Sequence, residues 1–170
     1  MITSRIKTII LTAICIALLP AGCGYRVGSL LPADIKTIAV PMFENKTSEP
    51  ELEIRVTNGI IQEFIVDGTL EVVEEGPADT LLIGEIIDYR REPIRYSNQD
   101  ITTEYRLVIA VRIEFRDLRH ETTMWEYPRV QGEGTFYVED SPLEMEQRII
   151  PEVVRDLAHH VVEKVVEGGW

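Results

Sequence analysis

The sequence predicts an α+β fold: a two-layer sandwich with a mostly antiparallel or mixed sheet of about four to five strands and two helices packed on one face. Three observations predict it. Residues 103–115 alternate strictly, with Thr103, Tyr105, Leu107, Ile109, Val111, Ile113 and Phe115 on one face and Glu104, Arg106, Val108, Ala110, Arg112 and Glu114 on the other. That is the period of a half-buried antiparallel strand. Two other stretches, near 49–66 and 141–167, repeat apolar residues at helical spacing. Turn signals between the periodic segments set the order β-α-β-β-β-β-α.

Residues 1–22 precede the fold. Arg5 and Lys7 form a positive start, and Ile9 to Leu19 an apolar run of about a dozen residues, which suits an export signal and is short for a membrane span. Ala21, Gly22 and Cys23 follow. Small residues before a cysteine suit processing and acylation, so Cys23 is the predicted lipid-attachment residue, although Pro20 stands where a leucine is expected. The only other cysteine, Cys15, lies in the apolar run. The processed chain then has no thiol pair, hence no disulfide framework. A diacylglycerol plus an amide-linked chain holds a protein stably on a membrane. "CGYRVGSLLPAD", 23–34, reads as a tether, and 35–170 as a single domain.

The elements follow in order. "IKTIAVPMF", 35–43, is rich in β-branched residues and reads as a strand ended near Pro41. Ser48 and Glu51 have capping-box spacing, with Pro50 in the first turn. The helix they start is expected over about Glu49–Val66. Its stripe is Leu52, Val56, Ile60 and Phe64, widened by Ile61 and Ile65, and Asp67-Gly68 ends it. "TLEVVEE" is a strand. "DTLLIGEIIDYRREPIRY" is a longer central one, with Pro93 limiting its regular pairing. After the turn "SNQD" comes the alternating strand. "WEYPRVQGEGTFYVE" is the last, with a bulge near Pro128 or Gly132–Gly134. Ser141 to Glu144 form a second capping box. Ile150, Val154, Leu157, Ala158, Val161 and Val165 line one face of the final helix. Pro151 should kink or split that helix, and Gly168-Gly169 ends it.

Charge narrows the function. The chain has 17 Lys and Arg against 29 Asp and Glu, a net −12. Nucleic acid is excluded as a partner, because phosphate binding needs clustered basic residues. The charge is uneven: Glu85 to Arg119 holds seven arginines, seven acids and no lysine. No nucleophile elbow, phosphate loop or HExxH motif occurs. His159 and His160 are adjacent on a helix and cannot share an ion as an i,i+4 pair could. No enzyme activity, metal or cofactor is expected. "YRREPIRY", 89–96, is the stretch with most claim on a ligand. Arg90, Arg91 and Arg95 beside Tyr89 and Tyr96 could hold phosphate or carboxylate through paired hydrogen bonds. They could equally neutralise Asp88, Glu92 and Asp100.

Several segments together resemble the lipopolysaccharide-assembly lipoprotein family of the LptE type. They are "CGYRV", "IKTIAVPMFENKT", "PELEIRVTNGIIQEF", "DGTLEVV", "ADTLLIGEIIDY" and "EYRLVIAVRIEF" with a tryptophan soon after. The resemblance implies an outer-membrane lipoprotein facing the periplasm, with two helices against a small sheet. It implies a plug inside the lumen of a large β-barrel that inserts lipopolysaccharide, and lipopolysaccharide binding by basic residues at the sheet end. Arg90, Arg91, Arg95 and Tyr96 are the candidates for that contact by charge. Because barrel interiors are polar, the charged face with Glu104, Arg106, Arg112 and Glu114 is the candidate barrel contact. "IAVPMFENKT" is also similar to the first strand and turn of periplasmic lipoproteins that activate cell-wall synthases or assemble secretion pores, the alternative reading.

Overall fold

The computed structural model describes residues 31–96, 102–137 and 142–168. The predicted signal, Cys23, most of the tether, the "SNQD" turn and the Ser141 cap lie outside the described residues. The elements are β1 (Thr37–Ala39), β2 (Glu44–Asn45), α1 (Leu52–Asp67), β3 (Glu71–Val72), β4 (Thr80–Tyr96), β5 (Thr102–Asp117), β6 (Thr122–Tyr137) and α2 (Pro142–Glu167). They form one six-stranded mixed sheet in the order β3-β1-β4-β5-β6, with β2 also on β4. The α+β class is as expected, with more strands. β1 and β2 each run parallel to β4, and β3 parallel to β1, while β4-β5-β6 is an antiparallel meander.

The meander is the scaffold. Its strands have 16 or 17 residues, about 50 Å at 3.3 Å per residue. The alternation in β5 holds: Leu107, Ile109, Val111, Ile113 and Phe115 are all buried in the core. From the helix layer, Val56, Ile60 and Phe64 of α1 and Ile150, Leu157 and Val161 of α2 join the same core. The helices run parallel to each other, since Arg55 reaches Gln147 and Glu63 reaches His159.

Local details correct the sequence reading at five places. The first concerns β1, which is three residues long, because Phe43 turns inward over Gly84, where an added Cβ would lie 2.1 Å from the ring. The Phe43 amide donates to the buried Thr57 hydroxyl at 3.0 Å. Second, α1 starts at Leu52 without a capping box; Glu51 sits in the left-handed region at φ 60. Asn45 organises the approach instead. Its Nδ2 donates to Glu49 O and Glu53 Oε2, and its Oδ1 accepts from the Thr47 amide and hydroxyl. Third, Ile65 does not widen the buried stripe. It is 59% exposed, because at 3.6 residues per turn it stands on the side of α1 away from Leu52, Val56, Ile60 and Phe64. The predicted strand at 69–75 is just Glu71–Val72.

Fourth, α2 is one continuous helix through Pro151. Pro151 and Gln147, whose carbonyl loses its amide partner, are both exposed, so water can replace the lost hydrogen bond and the helix is not split. Fifth, the glycines of β6 serve packing. The irregularity expected near Pro128 is there, since the β5–β6 register shifts at Pro128–Arg129 and again between Trp125 and Thr123, whereas Gly132 and Gly134 pair regularly with Ile109 and Leu107. A Cβ on Gly132 would lie 2.4 Å from the Leu157 amide nitrogen and 2.5 Å from Val153 O. The backbone of α2 rests on the strand where β6 has no side chain.

Gly132→Ala is therefore expected to cost about 1–3 kcal/mol, the usual range for forcing atoms into a packed core. Gly76→Ala, with nothing within 4 Å of the new Cβ, should leave the urea midpoint unchanged.

Candidate functional site

The sheet face away from the helices is the largest polar feature of the described residues. Its pattern is set by β4. Up to Ile86, even-numbered residues of β4 pair on the core side. Between Ile86 and Asp88 the register shifts by one residue, so parity reverses. Tyr89 and Arg91 then point to the helices, while Asp88, Arg90 and Glu92 point outward.

The four candidate ligand residues thus fall on different surfaces. Arg91 lies under α2. It donates from Nη1 to Glu146 Oε2 at 2.7 Å, and its guanidinium carbon stands 5.3 Å from the Tyr105 ring centre. Tyr89 donates its hydroxyl to Glu146 Oε1 at 2.8 Å. Burial, and then that hydrogen bond, push the Tyr89 hydroxyl above the ordinary tyrosine range. Arg90 is on the outer face between Asp88 and Glu92. A second shift after Pro93 puts Arg95 outward, 3.4 Å from Glu104. Arg95 is 65% exposed and Tyr96 57%, at the sheet end that also exposes Ile94, Tyr137 and Leu143.

The candidate barrel-contact residues all face outward, and each carries a partner. Arg112 pairs with Glu85 at 3.0 Å, Glu114 with Arg116 at 2.6 Å, and Arg106 with Glu133 at 3.5 Å. Arg129 reaches Asp88 at 2.7 Å. Glu104 is buried, and so are Val108 and Ala110 on the same face. Val108 and Ala110 lie beneath their longer polar cross-strand neighbours Arg90, Glu133, Asp88 and Gln131, and Glu104 lies between Arg95 and Tyr137. The hydrogen bonds from Arg116 and Thr123 hold the Glu114 carboxyl below its usual range. At Asp88 burial acts upward, but the Arg129 hydrogen bond and the Arg90 charge outweigh it and lower the value.

A second cluster, missed in the sequence reading, fixes the point where the chain enters the domain. Asp117, at the end of β5, accepts from the Arg119 and His120 amides, from Arg119 Nη2 and from His120 Nδ1. Arg119 in turn donates to Asp34 O and Oδ2 at 3.1 and 2.8 Å. Asp79 accepts from the Lys36 and Thr37 amides. Residues 31–34, read as tether, are thus tied to the fold, with Leu31 packed against the core. The spacing Asp-x-Arg-His at 117–120 was a readable turn signal. The Asp34 link spans 85 residues and had none.

No helix of the described residues is long and apolar enough to cross a membrane, and no group of three or more His, Cys, Asp or Glu among them is placed to hold a metal ion. The site has the character of a binding module: a rigid sheet with one face in the core and one presenting fixed charge.

Comparison with known proteins gives the family. The chain belongs to the LptE family, described as lipopolysaccharide-assembly, which it matches over residues 35–165. No curated protein matches it in sequence. Among solved structures it is similar to protein XCC0632 from Xanthomonas campestris, with TM-score 0.59 and 8% identity over 82% of this chain and 90% of that one. It is also similar to PelC from Paraburkholderia phytofirmans, a dodecamer, with TM-score 0.50 and 14% identity over 78% and 91%. These likenesses are of fold.

The Asp117 cluster generates a pH dependence. The His120 hydrogen bond first, and then those of Arg119, hold the Asp117 carboxyl well below the usual carboxylate range. A depressed native value contributes stability that is present above the unfolded value of about 3.9 and is lost as pH falls toward the native one. Asp117→Asn should therefore be less stable than the parent at pH 7. The gap should narrow between about pH 4 and pH 2, read from urea midpoints across that series.

Proposed function

We propose that this chain is an outer-membrane lipoprotein, anchored through Cys23 on the periplasmic side, that acts as plug and assembly subunit of a lipopolysaccharide-inserting β-barrel and binds lipopolysaccharide during insertion. The observation that carries the reading, beside family membership, is the outer sheet face. It is broad, and most of its charges are already paired, with Glu126, opposite Glu114, the exception among the described residues. Such a face can enter a polar lumen and leave few single charges stripped of water, the costly outcome for buried ions. Within it Arg106 has the longest ion pair, 3.5 Å to Glu133, and a buried Nε without a hydrogen-bond partner among the described residues, so it has a donor to offer, whereas Glu104 is held beneath Arg95. Arg112 and Glu114 frame the other half.

Affinity purification from detergent-solubilised outer membrane tests this. A large β-barrel protein should be recovered, and Arg106→Glu with Arg112→Glu should lower its recovery at least tenfold. Recovery of a peptidoglycan synthase, or of a homo-oligomeric ring, would reject the plug role. The ring belongs to the second reading, a lipoprotein that assembles a secretion pore, which draws support from the fold shared with the dodecameric PelC.

For lipopolysaccharide, the exposed pair Arg95 and Tyr96 is the proposed contact; Arg90, on the same outer face but farther back along β4, is held between Asp88 and Glu92. Arg91 has a different place, since reversing it would set two carboxylates together at Glu146. Arg95→Gln, which keeps an amide donor beside the buried Glu104, should weaken lipopolysaccharide binding and lower the urea midpoint less than Arg91→Glu does. Equal binding by Arg95→Gln and the parent in a lipopolysaccharide pull-down removes this end from the site.

A further inference from the structure

The two helices leave a groove along their seam, on the layer opposite the outer sheet face. One depression, about 390 Å³, lies between Gly59, Gln62 and Val66 of α1 and Pro151, Val154 and Arg155 of α2. A second, about 210 Å³, continues it to the helix C-termini between Val66 and Val162. They meet at Glu63 and Val66. From Pro151 to Glu167 the groove follows 16 residue steps of α2, about 24 Å at 1.5 Å each.

Its floor is apolar. Gly59 lets the helices approach so closely that a Cβ there would lie 2.4 Å from Val154 Cγ1. Val66, 79% exposed, stands at the junction with nothing over its side chain among the described residues. Its rim is acidic: Glu63, Asp67, Glu163 and Glu167 line it, against Arg155 and His159 as the basic residues of the lining. His159 is already committed to Glu63 across the seam at 3.1 Å.

The combination selects an occupant. Anionic lipid headgroups are repelled by the rim. A second copy of this chain would set the same carboxylates against each other. What remains favourable is a segment with apolar residues for the floor and positive charge for the rim. The geometry points to the α1–α2 seam as the docking site for a lysine- or arginine-bearing amphipathic segment of a protein partner, about three to four helical turns long. This goes beyond the plug reading and does not rest on it, because the seam and the outer sheet face are on opposite layers.

Photocrosslinking in intact cells tests it on the full-length chain. Benzoylphenylalanine at the exposed Gln62 or Glu163 should yield an adduct with a protein partner. The crosslinked peptide, identified by mass spectrometry, should carry apolar residues at helical spacing interrupted by Lys or Arg. Glu163→Lys with Glu167→Lys should reduce the Gln62 adduct at least tenfold, and Val66→Asp likewise. Glu74→Lys with Glu75→Lys, an equal charge change away from the groove, should leave it unchanged. Adducts with a second copy of the chain, with lipid or with an acidic peptide would overturn the proposal, and so would no adduct at all. A parallel probe at Arg112 reports on the outer sheet face, so failure of the seam and failure of the plug reading are read separately.

Discussion

Between Ile86 and Asp88 the pairing of β4 with β5 slips by one residue, and from there side-chain parity reverses along the rest of the strand. Much of the surface depends on that slip. Before it, Leu82, Gly84 and Ile86 line the core. After it, Tyr89 and Arg91 take that side and meet Glu146, while Arg90 joins the outer face. A bulge is a small local cost that re-aims every later side chain. Without it, Asp88 and Arg90 would be driven under α2. Tyr89 would stand in water, and Glu146 would be buried without the two donors that satisfy it.

The outer face shows the other half of the same constraint. An exposed sheet face normally tolerates scattered charge, and single surface ion pairs contribute little stability. Here the pairs are continuous enough to bury Val108 and Ala110 beneath them. Their effect is to present a stiff, near-neutral surface within an acidic chain. That suits a contact in which water is removed from a wide area at once. The acids left over collect on the helix layer, so the two layers differ in charge as well as in structure.

Much of this was legible in the sequence. β5 announced itself by alternation, the helices by Leu52, Val56, Ile60 and Phe64 and by Ile150 to Val165, and the α+β class by their order. What was hidden was hidden for physical reasons. Arg90 and Arg91 read as one cluster, although neighbours on a strand face opposite sides; which of the two turns outward is set by the bulge between Ile86 and Asp88, which leaves no mark in a run of mixed residues. Ser48 and Glu51 have capping-box spacing, but Glu51 takes the left-handed region at φ 60, and Asn45 orders the approach through the Thr47 amide and the Glu49 carbonyl. Gly132 and Gly134 read as a bulge because a strand glycine signals either an irregularity or a close neighbour, and only the path of α2 decides between them. The Asp34–Arg119 contact joins residues too distant for any local pattern to reveal.

That last contact has a mechanical side. The chain enters beside the β5–β6 turn, and the described residues closest to it are held by Arg119 from one strand end and by Asp79 from another. A tug arriving from upstream of Leu31 meets these crosslinks before it meets β1, whose own ladders are two residue pairs long on each side. Force is thus shared with the end of β5 and the start of β4 instead of falling on the short first strand alone.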